Sequence, residues 1–168
     1  MQIANISGLY HVSPQISLTD VEFLSEKGFE KIICNRPDFE VPINIQSNVI
    51  EKATEEIGLS FEYHPLTFEN MNTENIEKQM AFINESKRPI LAYCTSGTRC
   101  AAIWALGQIG KMSKDEILKT FPTNNERLKD EDLELIASQL NFTKSNKSSI
   151  NLFIKEIKNA YQSFGYNN

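Results

Sequence analysis

The stretch "AYCTSGTRCAAIWALGQIG", residues 92–110, sets a cysteine and an arginine on either side of four small or hydroxylated residues. Thr95, Ser96, Gly97 and Thr98 let the backbone between Cys94 and Arg99 curl so that several N–H groups point at one centre, a nest for an anion. A helix beginning near Arg99 or Cys100 adds its positive N-terminal end. Arg99 itself brings a planar guanidinium fork suited to an oxyanion. The same surroundings favour a thiolate. A free thiol is only a few per cent ionised at neutral pH, whereas a site of this kind lowers its pKa to about 3.5–7.5. Residues 94–100 therefore read as a reactive-thiol site. Cys34, inside the apolar "KIIC", reads instead as a buried structural thiol.

The elements that must position this loop follow from periodicity and punctuation. "GLYHVS" at 8–13 alternates as a short strand. "ISLTDVEFLSEKGF" reads as a helix with Thr19 and Glu22 as its capping box and Gly28 as its stop. "KIIC" at 31–34 is a second strand, running into the turn-rich "NRPDFEVP". "IQSNVIEKATEEIG" carries Ile45, Val49, Ile50, Ala53 and Ile57 at helical spacing and stops at Gly58. "LSFEYHPL" is a third strand, "TENIEKQMAFINES" a helix, and "RPILAYC" a fourth strand, apolar throughout as a central buried strand is. "AAIWALGQIG" is the helix after the cysteine loop, and "MSKDEILKTF" another, capped by Ser113 and Glu116. Strands alternating with helices predict an α/β fold with a mainly parallel sheet of about four or five strands. Cys94 then sits where a central strand ends, the edge at which open α/β sheets bind ligands.

Beyond residue 122 the texture changes. Two amphipathic helices, joined by "TKSNKSS", predict a helical C-terminal extension over 123–168 behind a main domain over 1–122. Ile150, Leu152, Phe153, Ile157 and Tyr161 form its apolar stripe.

Composition narrows the function. The 168 residues are 40% hydrophobic and 23% charged, with a net charge of -5, so no general basic field draws nucleic acid. The apolar runs are too short to span a bilayer. The opening "MQIANISGLYHVSPQIS" has no basic segment followed by an apolar core, so a cytoplasmic location is expected, or a periplasmic one if a leader has been removed. Three cysteines (34, 94 and 100) without CxxC spacing, and only two histidines, give neither a disulfide framework nor a zinc site. No metal or organic cofactor is expected, and nothing in the pattern sets an oligomeric state.

"GLYHVSPQIS", "ICNRPDFE", "EYHPL" and "LAYCTSGTRC", in this order over roughly residues 5–122, resemble the bacterial beta-lactamase hydrolase-like family of phosphatase-like domains, related to dual-specificity and tyrosine phosphatases. The resemblance implies a phosphatase-type fold with Cys94 as nucleophile and Arg99 as oxyanion clamp. The family's N-R-P-D-G-E reads here Asn35-Arg36-Pro37-Asp38-Phe39-Glu40, with Phe39 in place of glycine. Three departures from tyrosine phosphatases stand out. Their loop holds five residues between cysteine and arginine, whereas Cys94 and Arg99 enclose four, the spacing of rhodanese-type sulfurtransferases. Cys100 stands where they place a serine or threonine, and either Cys100 or Cys34 could trap Cys94 as a disulfide. Their general-acid aspartate has no direct counterpart in "HPLTFEN"; Glu69 or Asp38 could supply the proton, and His64 could orient a neighbour.

The leading expectation is a cysteine-dependent phosphatase. Cys94 attacks a phosphomonoester, the N–H groups of residues 95–99 and Arg99 hold its oxygens, and Arg36 adds a second contact. The alternatives are a sulfurtransferase carrying a persulfide on Cys94, and a non-catalytic anion-binding or scaffold module. The expected partner is a small anionic substrate, a phosphate ester or a sulfane-sulfur donor.

Overall fold

The computed structural model describes residues 1–113 together with Glu116 and Ile117. Its framework is a five-stranded sheet: β1 (Ala4–Ser7), β2 (Tyr10–Ser13), β3 (Lys31–Cys34), β4 (Ser60–Tyr63) and β5 (Ile90–Tyr93), in the order β1-β2-β5-β3-β4. β2, β5, β3 and β4 are mutually parallel, and β1 adds an antiparallel edge. The mainly parallel α/β architecture expected from the alternation of elements is the one observed. β1 is an addition to the expected strands: "ANIS" has too little apolar character to announce a strand, and a register shift between Asn5 and Ser7 interrupts its ladder.

Among the described residues, four named helices cover the sheet: α1 (Leu18–Glu26), α2 (Ser47–Glu56), α3 (Thr73–Asn84) and α4 (Thr98–Gly107). Successive strand residues point to opposite faces, so β5 divides the core. Ile90 and Ala92 join Tyr10, Val12 and Ile33 under α3 and α4, while Leu91 and Tyr93 join Ile32 and Cys34 under α1 and α2. Each fully buried isoleucine or leucine here contributes about 1.5–3 kcal/mol. α4 is buried along its whole length, which suits its nearly all-apolar "AAIWALG".

Helix boundaries shift slightly from those expected. α1 is capped two residues earlier, at Ser17: the backbone N–H of Asp20 bonds Ser17 Oγ, and Asp20 Oδ2 accepts from the Ser17 N–H at 2.8 Å. "SLTDVE" holds two overlapping S/T-x-x-D/E boxes, and the first one wins. α4 starts at Thr98, one residue before Arg99. "NRPDFEVP" and the residues after it form single helical turns at Asp38–Glu40 and Ile43–Ile45, and "TFEN" another at Phe68–Asn70. Ser113 and Glu116 make the expected capping pair, with Ser113 N–H donating to Glu116 Oε2 at 2.9 Å. The rest of that helix, the 122/123 boundary, the extension over 123–168 and its apolar stripe lie outside the described residues.

The parallel register aligns the carboxyl ends of the strands. Ser13 and Cys34 both pair with Tyr93, and Cys34 pairs with Tyr63. Pro14, Asn35, His64 and Cys94 are the next residues of the four chains, so all four loops leave from one edge. No helix among the described residues is long and apolar enough to cross a membrane.

Candidate active site

The Cys94 loop turns from β5 into α4 through Gly97, whose φ of 91° is in the left-handed region. A side chain there would also press within 3.3 Å of the Ser13 carbonyl oxygen, so glycine is required twice over. The turn brings the Gly97 N–H to 3.1 Å from Cys94 Sγ, and the N–H groups of Ser96 and Arg99 bond the same sulfur. Burial alone would raise the Cys94 pKa. The Cys100 thiol, the Arg99 charge and these N–H groups outweigh it and bring the pKa down to about 6. Cys94 is only 1% exposed. At neutral pH it is a thiolate.

Arg99 is held on every side. Nη1 and Nη2 donate to Glu40 Oε1 at 2.8 Å and Oε2 at 2.6 Å, a bidentate pair. Nη1 also donates to the Leu66 carbonyl at 2.6 Å, and Nη2 to Thr95 Oγ1 at 2.8 Å. Desolvation works against the charged form of Glu40, but Arg99, Thr95 and Arg36 keep its carboxyl below the usual range. Glu40 thus joins the candidate site, and the sequence motifs do not single it out although it lies inside "ICNRPDFE". Its partner is 59 positions away, and no local pattern joins them.

The other expected residues fall into two groups. Thr95, Ser96, Gly97, Thr98 and Cys100 are in the loop or the first turn of α4. Ser96 Oγ lies 2.9 Å from Thr98 Oγ1, and the Cys100 thiol bonds Cys94. Burial and the neighbouring Cys94 push the Cys100 pKa well up, so it faces the thiolate as a protonated donor. Asp38 and Arg36, by contrast, are committed to structure. Asp38 Oδ1 accepts from the Ser47 N–H at 2.7 Å and Oδ2 from Ser47 Oγ at 2.8 Å, which caps α2. Arg36 Nη1 donates to Gln15 Oε1 and Nη2 to the Glu40 carbonyl, each at 3.1 Å. It braces the Glu40 turn, and its Nε lies 3.5 Å from Glu40 Oε2, the oxygen that also accepts from Arg99 Nη2. Glu69 is exposed on its single turn, near enough for Arg99 to help lower its pKa, chiefly held down by the Thr67 hydroxyl. Phe39 needs no special backbone, since no residue other than glycine has a positive φ among the described residues. It is 83% exposed.

Residues 3–111 match the family model described as beta-lactamase hydrolase-like protein, phosphatase-like domain. The chain belongs to this family. Beta-lactamase hydrolase-like proteins of Xylella fastidiosa and Agrobacterium fabrum are 26% and 25% identical to it over 119 residues, 70% of this chain. The match covers 28% of the length of those relatives. Among solved structures, the nma1982 protein of Neisseria meningitidis, a candidate phosphatase, is 25% identical with a TM-score of 0.64, covering 91% of this chain and 99% of that one. The catalytic domain of a PP-IP phosphatase from S. cerevisiae shares the fold at 17% identity, with a TM-score of 0.55 and coverage of 98% and 94%. The phosphatase-like domain reached from the sequence motifs is thereby established, along with its place among folds of the tyrosine and dual-specificity type. Among the described residues, no three His, Cys, Asp or Glu side chains gather as a metal site.

Proposed function

We propose that this phosphatase-like domain hydrolyses phosphomonoesters through a phosphocysteine at Cys94. The observation that carries the reading is a thiolate held at about 6 under backbone N–H groups, beside a buried arginine. The Cys94 sulfur attacks phosphorus, forming an S–P bond as the P–O ester bond breaks and the leaving oxygen takes the electron pair. Loop N–H groups and the Arg99 guanidinium stabilise the equatorial oxygens, interactions strongest where charge is greatest, in the transition state. Arriving phosphoryl oxygens compete with Glu40 and Thr95 for the Arg99 fork. Water then attacks phosphorus, breaks the S–P bond and returns the thiolate and orthophosphate. This chemistry draws on no metal or organic cofactor.

Glu69 is the carboxylate we assign to protonate the leaving group, since Glu40 is held by Arg99, and the Thr67 bond that lowers the Glu69 pKa makes it a poor acid at neutral pH. The reading therefore favours esters whose leaving oxygen departs with little protonation. Family and fold both weigh toward phosphate esters over sulfur transfer, and the four-residue loop spacing alone does not carry that second reading. Initial rates on phenyl phosphates of graded leaving-group pKa, against an alkyl phosphate, test the proposal. It expects rates that fall steeply as the leaving group becomes more basic. Cys94-dependent sulfur transfer from thiosulfate to cyanide, with no ester hydrolysis, would overturn it.

A further inference from the structure

Gln79 lies in the middle of α3 and is fully buried. A buried amide is tolerated only when its donors and acceptors are matched. Here all four positions are filled: Oε1 accepts from Asn35 Nδ2 at 3.1 Å and His64 Nδ1 at 2.8 Å, and Nε2 donates to Tyr10 Oη at 3.2 Å and Asn35 Oδ1 at 3.1 Å. Its orientation follows from backbone carbonyls, which only accept. Tyr10 Oη must give its proton to the Cys100 carbonyl at 3.0 Å, and Asn35 Nδ2 must donate to the His64 carbonyl at 2.8 Å.

These bonds run outward in two arms, and both end on the thiolate site. One passes through Tyr10 to the Cys100 carbonyl, in the first turn of α4, whose N-terminal end faces Cys94. The other passes through Asn35, whose carbonyl accepts the Leu66 N–H at 3.0 Å. Leu66 in turn offers its own carbonyl to Arg99 Nη1. His64 ties the same amide to the following loop: its Nε2 lies 3.1 Å from Asn75 Oδ1, and Asn75 Nδ2 donates to the Asn70 carbonyl at 2.7 Å.

We infer that Gln79 is a positioning residue, setting the place of the first turn of α4 and of the Arg99 guanidinium relative to Cys94 without touching either. The inference rests on the reading of Cys94 and Arg99 as an anion-binding thiolate site, and on no particular ester. Gln79→Met keeps the length of the side chain and removes its hydrogen bonds, and Tyr10→Phe removes one arm. The readouts are the pH midpoint of Cys94 alkylation by iodoacetamide, the Kd for tungstate, and Tm.

Gln79→Met is expected to raise the alkylation midpoint by about one pH unit and to weaken tungstate about tenfold. Tyr10→Phe does the same in smaller measure. The double variant is expected to be little worse than Gln79→Met, since the Tyr10 arm acts through Gln79. A lower Tm with the midpoint and tungstate affinity of Gln79→Met unchanged would reduce Gln79 to packing and overturn the inference. If Gln79→Met does not fold, Tyr10→Phe decides by the same two readouts. A wild-type protein that binds no tungstate and alkylates at Cys94 only near pH 9 would overturn the anion-site reading and the inference with it. Failure in the variants alone leaves that reading standing.

Discussion

Cys34 and Cys94 leave the same edge of one sheet on neighbouring parallel strands, one register step apart, and both are buried. Their ionisation is opposite. Burial pushes the Cys34 thiol up to about 11, offset only in part by the Tyr93 hydroxyl and the Arg36 backbone, and its Sγ donates to the Arg36 carbonyl. Cys94 suffers the same desolvation and yet is brought down to about 6. The strand end therefore does not make a reactive thiol. What separates the two is the following turn. After Cys94 the chain folds several N–H groups back onto the sulfur and delivers the Arg99 charge, whereas the Arg36 backbone and the Tyr93 hydroxyl beside Cys34 do not offset its burial.

This contrast can be broken at several points. Cys94→Ser is expected to cut phosphate-ester turnover by at least about a thousandfold while leaving tungstate binding nearly intact; steady-state rates and a titration read both. Arg99→Lys replaces a fork by a point charge and costs about a hundredfold or more in kcat/KM, with weaker anion binding. Glu40→Gln keeps the size of the side chain but loses the charge that orients the guanidinium. Its kcat falls about tenfold or more with KM little changed.

The pH dependence of stability sharpens the comparison further. The folded chain releases the Cys94 proton at about 6, the unfolded chain near the ordinary thiol value of 9.0. Cys94 therefore adds stability that rises with pH across that window, at about 1.4 kcal/mol per unit, and is lost as pH falls through 6. Cys34 acts in the opposite sense. Its contribution is complete below 9.0 and is lost as pH rises toward about 11. Urea unfolding of Cys94→Ala across pH 6–9 is expected to remove the rising slope. Smallest of all, Cys34→Ala should leave turnover within about twofold, since it makes no part of the anion site; a large loss there would undo the comparison.

The part of the site legible in the sequence is the part carried by consecutive residues. Cys94, the small loop, Gly97, Arg99 and the helix start share one string, and an apolar "ILAY" before it betrays the central strand. Contacts between distant segments were not legible. Glu40 meets Arg99 only because parallel register brings the ends of β3 and β5 together. Asp38 resembled a free acid because its capping role depends on where α2 starts, at Ser47. Gln79 sits among polar neighbours in "NIEKQMAF", and only the packing of α3 shows which of them is buried. β1 escaped because its burial comes from pairing with β2 and not from its own composition.

The most direct test is a single-turnover reaction with an aryl phosphate, quenched in acid and followed by mass analysis of the peptide carrying Cys94. The account predicts one phosphoryl group on Cys94, formed and lost at rates that match turnover, and none on Cys34 or Cys100. Full turnover with no phosphoryl group on Cys94, or undiminished turnover in Cys94→Ser, would contradict it.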